Sequence, residues 1–201
     1  GEGALSAAFI PAFTQSLEAE SADEARAMAG RVASALALVL TGLLVIGEVV
    51  VIGIPVLTEV NPRWRLILAL TAVLLPYMLL ICMTALMGSI LQSLRHFAVP
   101  ALAPVALNLV WIVAVVLAGF VLDLGPRGGI YLVCGGILLA GVVQLVMQVL
   151  ALRRAGFRVR PRSGILHEDV RRVARSMGPV VLGLAALQIN VLLDGLIAVG
   201  L

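Results

Sequence analysis

Hydrophobic residues in this 201-residue chain neither alternate nor recur every third or fourth position. They run on almost unbroken for twenty residues or more, and the polar residues collect between the runs. Four such runs occupy residues 32–57, 66–91, 99–122 and 130–152, and a fifth starts near Gly178 and continues to Leu201. At the helical rise, about 20 residues cross a hydrocarbon core of roughly 30 Å, and without water each segment must satisfy its own backbone amides. The pattern therefore predicts an all-α, polytopic membrane helix bundle with about five full spans. Residues 1–15 are too short to span and read as the closing half of an earlier helix, a partial N-terminal span. No signal-peptide pattern opens the chain and no loop closes the last run. The sequence reads as an internal piece of a longer protein, with residues 1–201 forming one membrane domain.

The polar breaks are short. Between the second and third full runs lies only Gln92-Ser93-Leu94-Arg95-His96, so residues 76–113 are expected to form an antiparallel hairpin. Residues 58–65 contain Asn61-Pro62, a turn signal, and residues 123–129 hold Gly-Pro and Gly-Gly as breakers. Pro100 and Pro104 fall near the start of their run, where a missing amide costs least. In the run at 130–152, Gly135, Gly136 and Gly141 are expected to permit close helix approach. The acidic stretch 18–31, with Glu18, Glu20, Asp23 and Glu24 against Arg26 and Arg31, reads as a solvated helical connector. One long polar connector, residues 153–175, holds eight arginines. Its second part places Val170, Val173, Ala174 and Met177 at helical spacing with Arg171, Arg172 and Arg175 opposite, the pattern of an amphipathic helix at a membrane interface.

Composition sharpens this picture. Hydrophobic residues make up 62% and charged residues 12%, with mean hydropathy +1.14, far from the usage of a soluble domain. The net charge of +3 rests on fourteen arginines and no lysine. These sit in breaks between apolar runs, where they act as topology signals, so a nucleic-acid partner is excluded. Crossing sides at each run puts two arginines of the acidic stretch, Arg95 of the hinge and the eight of the long connector on one side, against Arg63, Arg65 and Arg127 on the other. The richer side is normally cytoplasmic, which places the connector at 153–175 there.

Polar groups inside the runs need a reason to be there. Glu48 lies near the middle of its run, where an acid costs on the order of 2.5–3.5 kcal/mol on insertion scales. It should face a cavity or partner, as a candidate for coupling to protons or cations, or sit solvated near the rim. Asp194 is the second such acid, both cavity-lining and ion-coupling candidate, with Gln188 and Asn190 upstream; Asn190 and Asp194 share a helix face. Asn108, Gln144 and Gln148 are weighed between cavity lining and interhelical hydrogen bonding, the common use of membrane amides. Cys82 and Cys134 lie in apolar runs, and neither they nor His96 and His167 have ligand spacing, so no metal site and no cofactor are expected. The motifs GxSxG, GxxxxGK[ST] and HExxH are absent, which tilts against an enzyme.

Four groups of residues carry a resemblance. Glu2-Gly3-Ala4 with Ser6, Phe9 and Pro11 is the first. The hairpin supplies the second: Pro76-Tyr77, Gly88, Ile90-Leu91-Gln92, Phe97, Pro100-Ala101, Ala103-Pro104 and Leu107-Asn108. Gly141 to Val146 with Gln148 is the third, and Met177-Gly178-Pro179 followed by Gln188-Ile189 is the fourth. In order and spacing these resemble the MurJ (MviN) lipid II flippases of bacteria, within the multidrug/oligosaccharidyl-lipid/polysaccharide exporter superfamily. Gln92 stands where asparagine is commoner.

The resemblance implies the end of helix two through most of helix seven of a transporter of roughly 14 helices in the bacterial cytoplasmic (inner) membrane. It implies a central cavity lined by Glu2, lipid II and membrane lipids as partners, and the cell-wall synthesis machinery as a further one. The family's headgroup-handling arginines, on its first and eighth helices, have no counterpart in these residues. A related exporter of another prenyl-linked oligosaccharide, a drug or cation antiporter, a membrane enzyme acting on lipid intermediates and a non-transporting cell-wall scaffold stay open as alternatives at this point.

Overall fold

The computed structural model describes residues 2–19, 21–122, 124–164, 167–179, 182–183 and 185–186. Within them the chain is helical: α1 (Glu2–Ala19), α2 (Ala22–Leu57), α3 (Pro62–Ser93), α4 (Ala98–Val116), continued by a π-helical turn (Leu117–Val121), and α5 (Gly125–Arg154). A further helix, α6, covers residues 168–179. Four of these helices, α2, α3, α4 with its π-helical extension, and α5, are long and apolar enough to cross a membrane. The fifth run expected from the sequence lies largely outside the described residues.

Local chemistry sets the boundaries. The Ser21 hydroxyl accepts from the Glu24 amide at 3.2 Å, and Asp23 and Glu24 in the first turn complement the helix dipole. That cap lies inside the stretch expected to be a connector. Residues 22–31 are instead the first turns of a 36-residue helix. At about 54 Å by helical rise, α2 outruns the hydrocarbon core. Ala25, Met28 and Ala29 of this stretch are buried, so it is solvated on one face only. Asn61 caps α3 through the Arg63 amide at 3.1 Å, with Pro62 at the first helical position.

Two breaker readings are corrected. Gly125 to Gly129 is not a turn but the start of α5, because Pro126 falls in the first turn where no amide bond is lost. Pro104 lies inside α4, beyond the turn where proline is cost-free.

The hinge between α3 and α4 closes as a Schellman motif. Arg95 takes the left-handed conformation at φ 62°, its amide donates to the Gln92 carbonyl, and the His96 amide donates to that of Leu91 at 2.8 Å. The chain does reverse there, yet α3 and α4 touch each other far less than either touches α5. Small residues on α5 explain why. A Cβ on Gly136 would meet Ala114 of α4, and one on Gly141 would meet the Tyr77 ring and Leu80 of α3. Gly135 faces open space and supports no approach. The hairpin is therefore a three-helix layer in which α5 binds both arms.

The buried core sits at one end. Phe9 and Phe13 of α1, Ala25 to Ala33 of α2, Leu86 to Leu91 of α3, Leu152 of α5, Phe157 and Val173 form one cluster. The far half of α2, from Leu43 to Leu57, carries exposed valines, leucines and isoleucines. The packed end is also the arginine-rich one. Arg65 and Arg127 line a pocket at the opposite end, between the starts of α3 and α5.

Candidate functional site

The polar groups inside the helices fall into separate places. Gln144 is buried, and its amide nitrogen donates to the Ala103 carbonyl of α4 at 2.7 Å. Gln148, one turn on, is buried beside Gly88 of α3. Thr84 lies one turn before Gly88 on that helix and is buried too. Among the described residues, the side-chain oxygens of Gln144, Gln148 and Thr84 have no hydrogen-bond partner. The result is a polar level in the seam of α3, α4 and α5, built by two amides whose four-residue spacing puts them on one face.

Asn108 is exposed on α4. Glu48 is half-buried on α2, in a shallow apolar groove with Leu44, Val45, Val49, Ile52 and Pro76. Glu2 opens α1. Gln188, Asn190 and Asp194 lie outside the described residues. The structure therefore brings Gln144 and Gln148 together and leaves Glu48 and Asn108 apart from them.

Contacts that spacing did not announce join α1 to α3: the hydroxyls of Ser6 and Ser89 meet at 2.8 Å. Below them the Phe9 and Phe13 rings stack at 5.2 Å. Ser6 and Phe9 stand out in the sequence only through the family resemblance. Ser89 carries no signal of its own, because a serine in an apolar run reads as a small packing residue.

The arginine-rich end is the most elaborately built region. α5 ends in a second Schellman motif, with Gly156 at φ 75° and the Phe157 amide donating to the Leu152 carbonyl at 2.9 Å. Phe157 turns inward, edge-on to Phe13 at 5.7 Å and 5.8 Å beneath the Arg26 guanidinium. The following residues form a strap across α2. The Arg160 carbonyl lies where a Cβ on Gly30 would stand, and the Arg162 amide donates to the Ser34 hydroxyl at 3.1 Å.

The far end of the strap is held by Arg31, whose Nε donates to the Asp169 carboxylate at 2.9 Å. His167 is 3.0 Å from the same carboxylate. Beyond it, Val173 of α6 is buried in the common core with Val170 and Met177 packed beside it, while Arg171, Arg172 and Arg175 are exposed. Two of the pockets that border the strap are lined by both Arg158 and Arg160. One is an apolar cleft of about 620 Å3 between α2, α3 and α5, and the other is lined by Asp23, Arg26, Arg158, Arg160 and Arg162. Among the described residues there is no group of three or more histidine, cysteine or acidic side chains placed to hold a metal.

Comparison with known proteins decides the family. The sequence model described as "Lipid II flippase MurJ" matches residues 1–201. The chain belongs to that family. Relatives include a "Probable lipid II flippase MurJ" of Rhizobium tropici, 30% identical over 205 residues that cover 99% of this chain and 38% of the relative. One of Vibrio cholerae is 30% identical, over 98% of this chain and 39% of the relative. The "Lipid II flippase MurJ" of Burkholderia cenocepacia is 26% identical, with 98% and 39% covered. The chain spans about two fifths of the length of the curated relatives it matches. Membership in this family, with four membrane-length apolar helices among the described residues, marks it as a multi-pass membrane protein.

Proposed function

We propose that the protein translocates lipid II, the prenyl-diphosphate-linked peptidoglycan precursor, across the bacterial cytoplasmic membrane by alternating access, without chemical catalysis. The observation that carries this is the family match over all 201 residues. The physics agrees. A charged sugar-diphosphate head crosses hydrocarbon only if polar groups or water replace its hydration, whereas the prenyl tail can stay in lipid.

In this reading residues 2–179 supply helices of one bundle of the transporter. The arginine-rich end, with the strap and α6 at headgroup level, faces the cytoplasm, as the arginine distribution supports. Glu2 lines the central cavity near the headgroup. The seam of Gln144, Gln148 and Thr84 holds α3, α4 and α5 as a unit, so that they move together. Asp194, Gln188 and Asn190 are further cavity candidates, and Glu48 and Asp194 candidates for ion coupling.

The test uses the full protein in cells depleted of their own flippase, scoring lipid II accessible to a probe confined outside the membrane. Accessibility should return, and should fall again with Glu2→Ala at unchanged expression. Inserted protein with no recovery of accessibility would leave the fold without this substrate.

A further inference from the structure

The cleft between α2, α3 and α5 has walls of two kinds. Toward mid-helix it is lined by Ala37, Met83, Met87 and Val149, and at the arginine-rich end by Arg153, Arg158 and Arg160. Arg158 and Arg160 are exposed on either side of Val159, which packs inward against the core. These same two arginines also border the second pocket, which they share with Arg26 and Arg162. The strap's anchors hold them there: Phe157 in the core, the Arg160 carbonyl against Gly30 and the Arg162 amide on Ser34.

Two of the local acids are already engaged. Arg26 pairs with Asp23 at 2.8 Å and Arg31 with Asp169. Among the described residues no carboxylate lies within ion-pair distance of Arg153, Arg158, Arg160 or Arg162. Three of these guanidinium groups, those of Arg153, Arg158 and Arg160, stand at the mouth of the apolar cleft, beside the end of α5. Such basic pockets between membrane helices match anionic lipid headgroups in charge, and guanidinium forks match phosphate oxygens in geometry.

We infer that this cleft binds an anionic phospholipid of the adjacent leaflet. Its phosphate lies among Arg153, Arg158 and Arg160, and the start of an acyl chain lies along Met83, Met87 and Val149. A soluble anion would use the arginines and leave the apolar wall bare, whereas a phospholipid covers both. Seated there, the lipid relieves repulsion among the arginines and ties the strap to three helices.

The experiment titrates the full protein, delipidated in detergent, with phosphatidylglycerol or phosphatidylcholine and counts bound lipids by native mass spectrometry. Phosphatidylglycerol should bind at least about tenfold more tightly. Arg158→Gln with Arg160→Gln should remove that preference, and Arg158→Lys with Arg160→Lys should retain most of it. Ala37→Trp, which fills the apolar half and leaves every charge, should weaken phosphatidylglycerol as well. Arg171→Gln with Arg172→Gln removes the same charge from the exposed face of α6 and should change nothing.

Equal binding of the two lipids, or an equal loss from the α6 pair, would overturn the inference. So would inorganic phosphate competing as well as phosphatidylglycerol, which would mark a free-anion site. Lipid II displacing phosphatidylglycerol from the wild type but not from the glutamine pair would make the cleft a substrate entry point instead. None of these results depends on whether transport is restored in cells.

Discussion

Gly30 and Gly42 lie on the same helix and differ in what faces them. A Cβ on Gly30 would collide with the Arg160 carbonyl, a backbone atom that cannot rotate away, whereas Gly42 faces open space. Alanine is favoured over glycine in a helix interior by about 1 kcal/mol, while overpacking costs about 1–3 kcal/mol. Gly42→Ala should therefore raise the thermal midpoint of the detergent-solubilised protein, and Gly30→Ala should lower it. A rise for both would mean that the strap does not rest on α2. The sequence contains no sign of this difference, since neither glycine's neighbours tell what packs over it and only the path of residues 157–164 separates them. Gln144 is the opposite case. Its burial among apolar neighbours left interhelical bonding as one of two readings, and the 2.7 Å bond to Ala103 lies on that side.

At the scale of elements, the strap is held between two anchors. Phe157 belongs to the end of α5, while Arg31 and Asp169, with side chains 18% and 25% exposed, join α2 to the start of α6. Burial between that of surface and core pairs suggests a coupling of about 1–2 kcal/mol. Arg31→Glu should speed trypsin cleavage after Arg158 and Arg162 by about tenfold, because cleavage follows the population of the opened strap. Adding Asp169→Arg should restore the wild-type rate. Cleavage that stays slow in Arg31→Glu would assign the strap's hold to Phe157 and to its contacts with Gly30 and Ser34.

Element boundaries were legible wherever capping chemistry is local, as at Asn61-Pro62. They were misread where breakers double as helix starts, as at Gly125-Pro126. The hairpin was legible as a chain reversal but not as packing, because which helices touch depends on Gly136 and Gly141 of a third segment.

For the whole molecule, the start of α2 and the ends of α3 and α5 gather at one pole with the strap, and Arg65 and Arg127 line a common pocket at the other. In a background of Cys82→Ala and Cys134→Ala, Arg95→Cys and Ser163→Cys should react with a membrane-impermeant maleimide only in inverted vesicles. Glu59→Cys and Arg127→Cys should react in intact cells. The reverse labelling would invert the proposed topology and move the proposed phospholipid site to the outer leaflet.

The sequence alone determined that this chain crosses a membrane as helices. Uninterrupted apolar runs of bilayer length leave the backbone no other way to satisfy its amides, and arginines cluster where a chain re-enters water. The motifs from Glu2 to Gln188 also made the family readable before any coordinates. Only the tertiary structure decided that the core lies at the arginine-rich pole, that α5 holds both arms of the hairpin, and that a polar connector is strapped across α2. Those outcomes depend on close approach between residues of different segments, such as Gly136 with Ala114, Gly30 with Arg160 and Arg31 with Asp169. Hydropathy and spacing record what each segment prefers, and they carry no information about which distant segment will fill the space beside it.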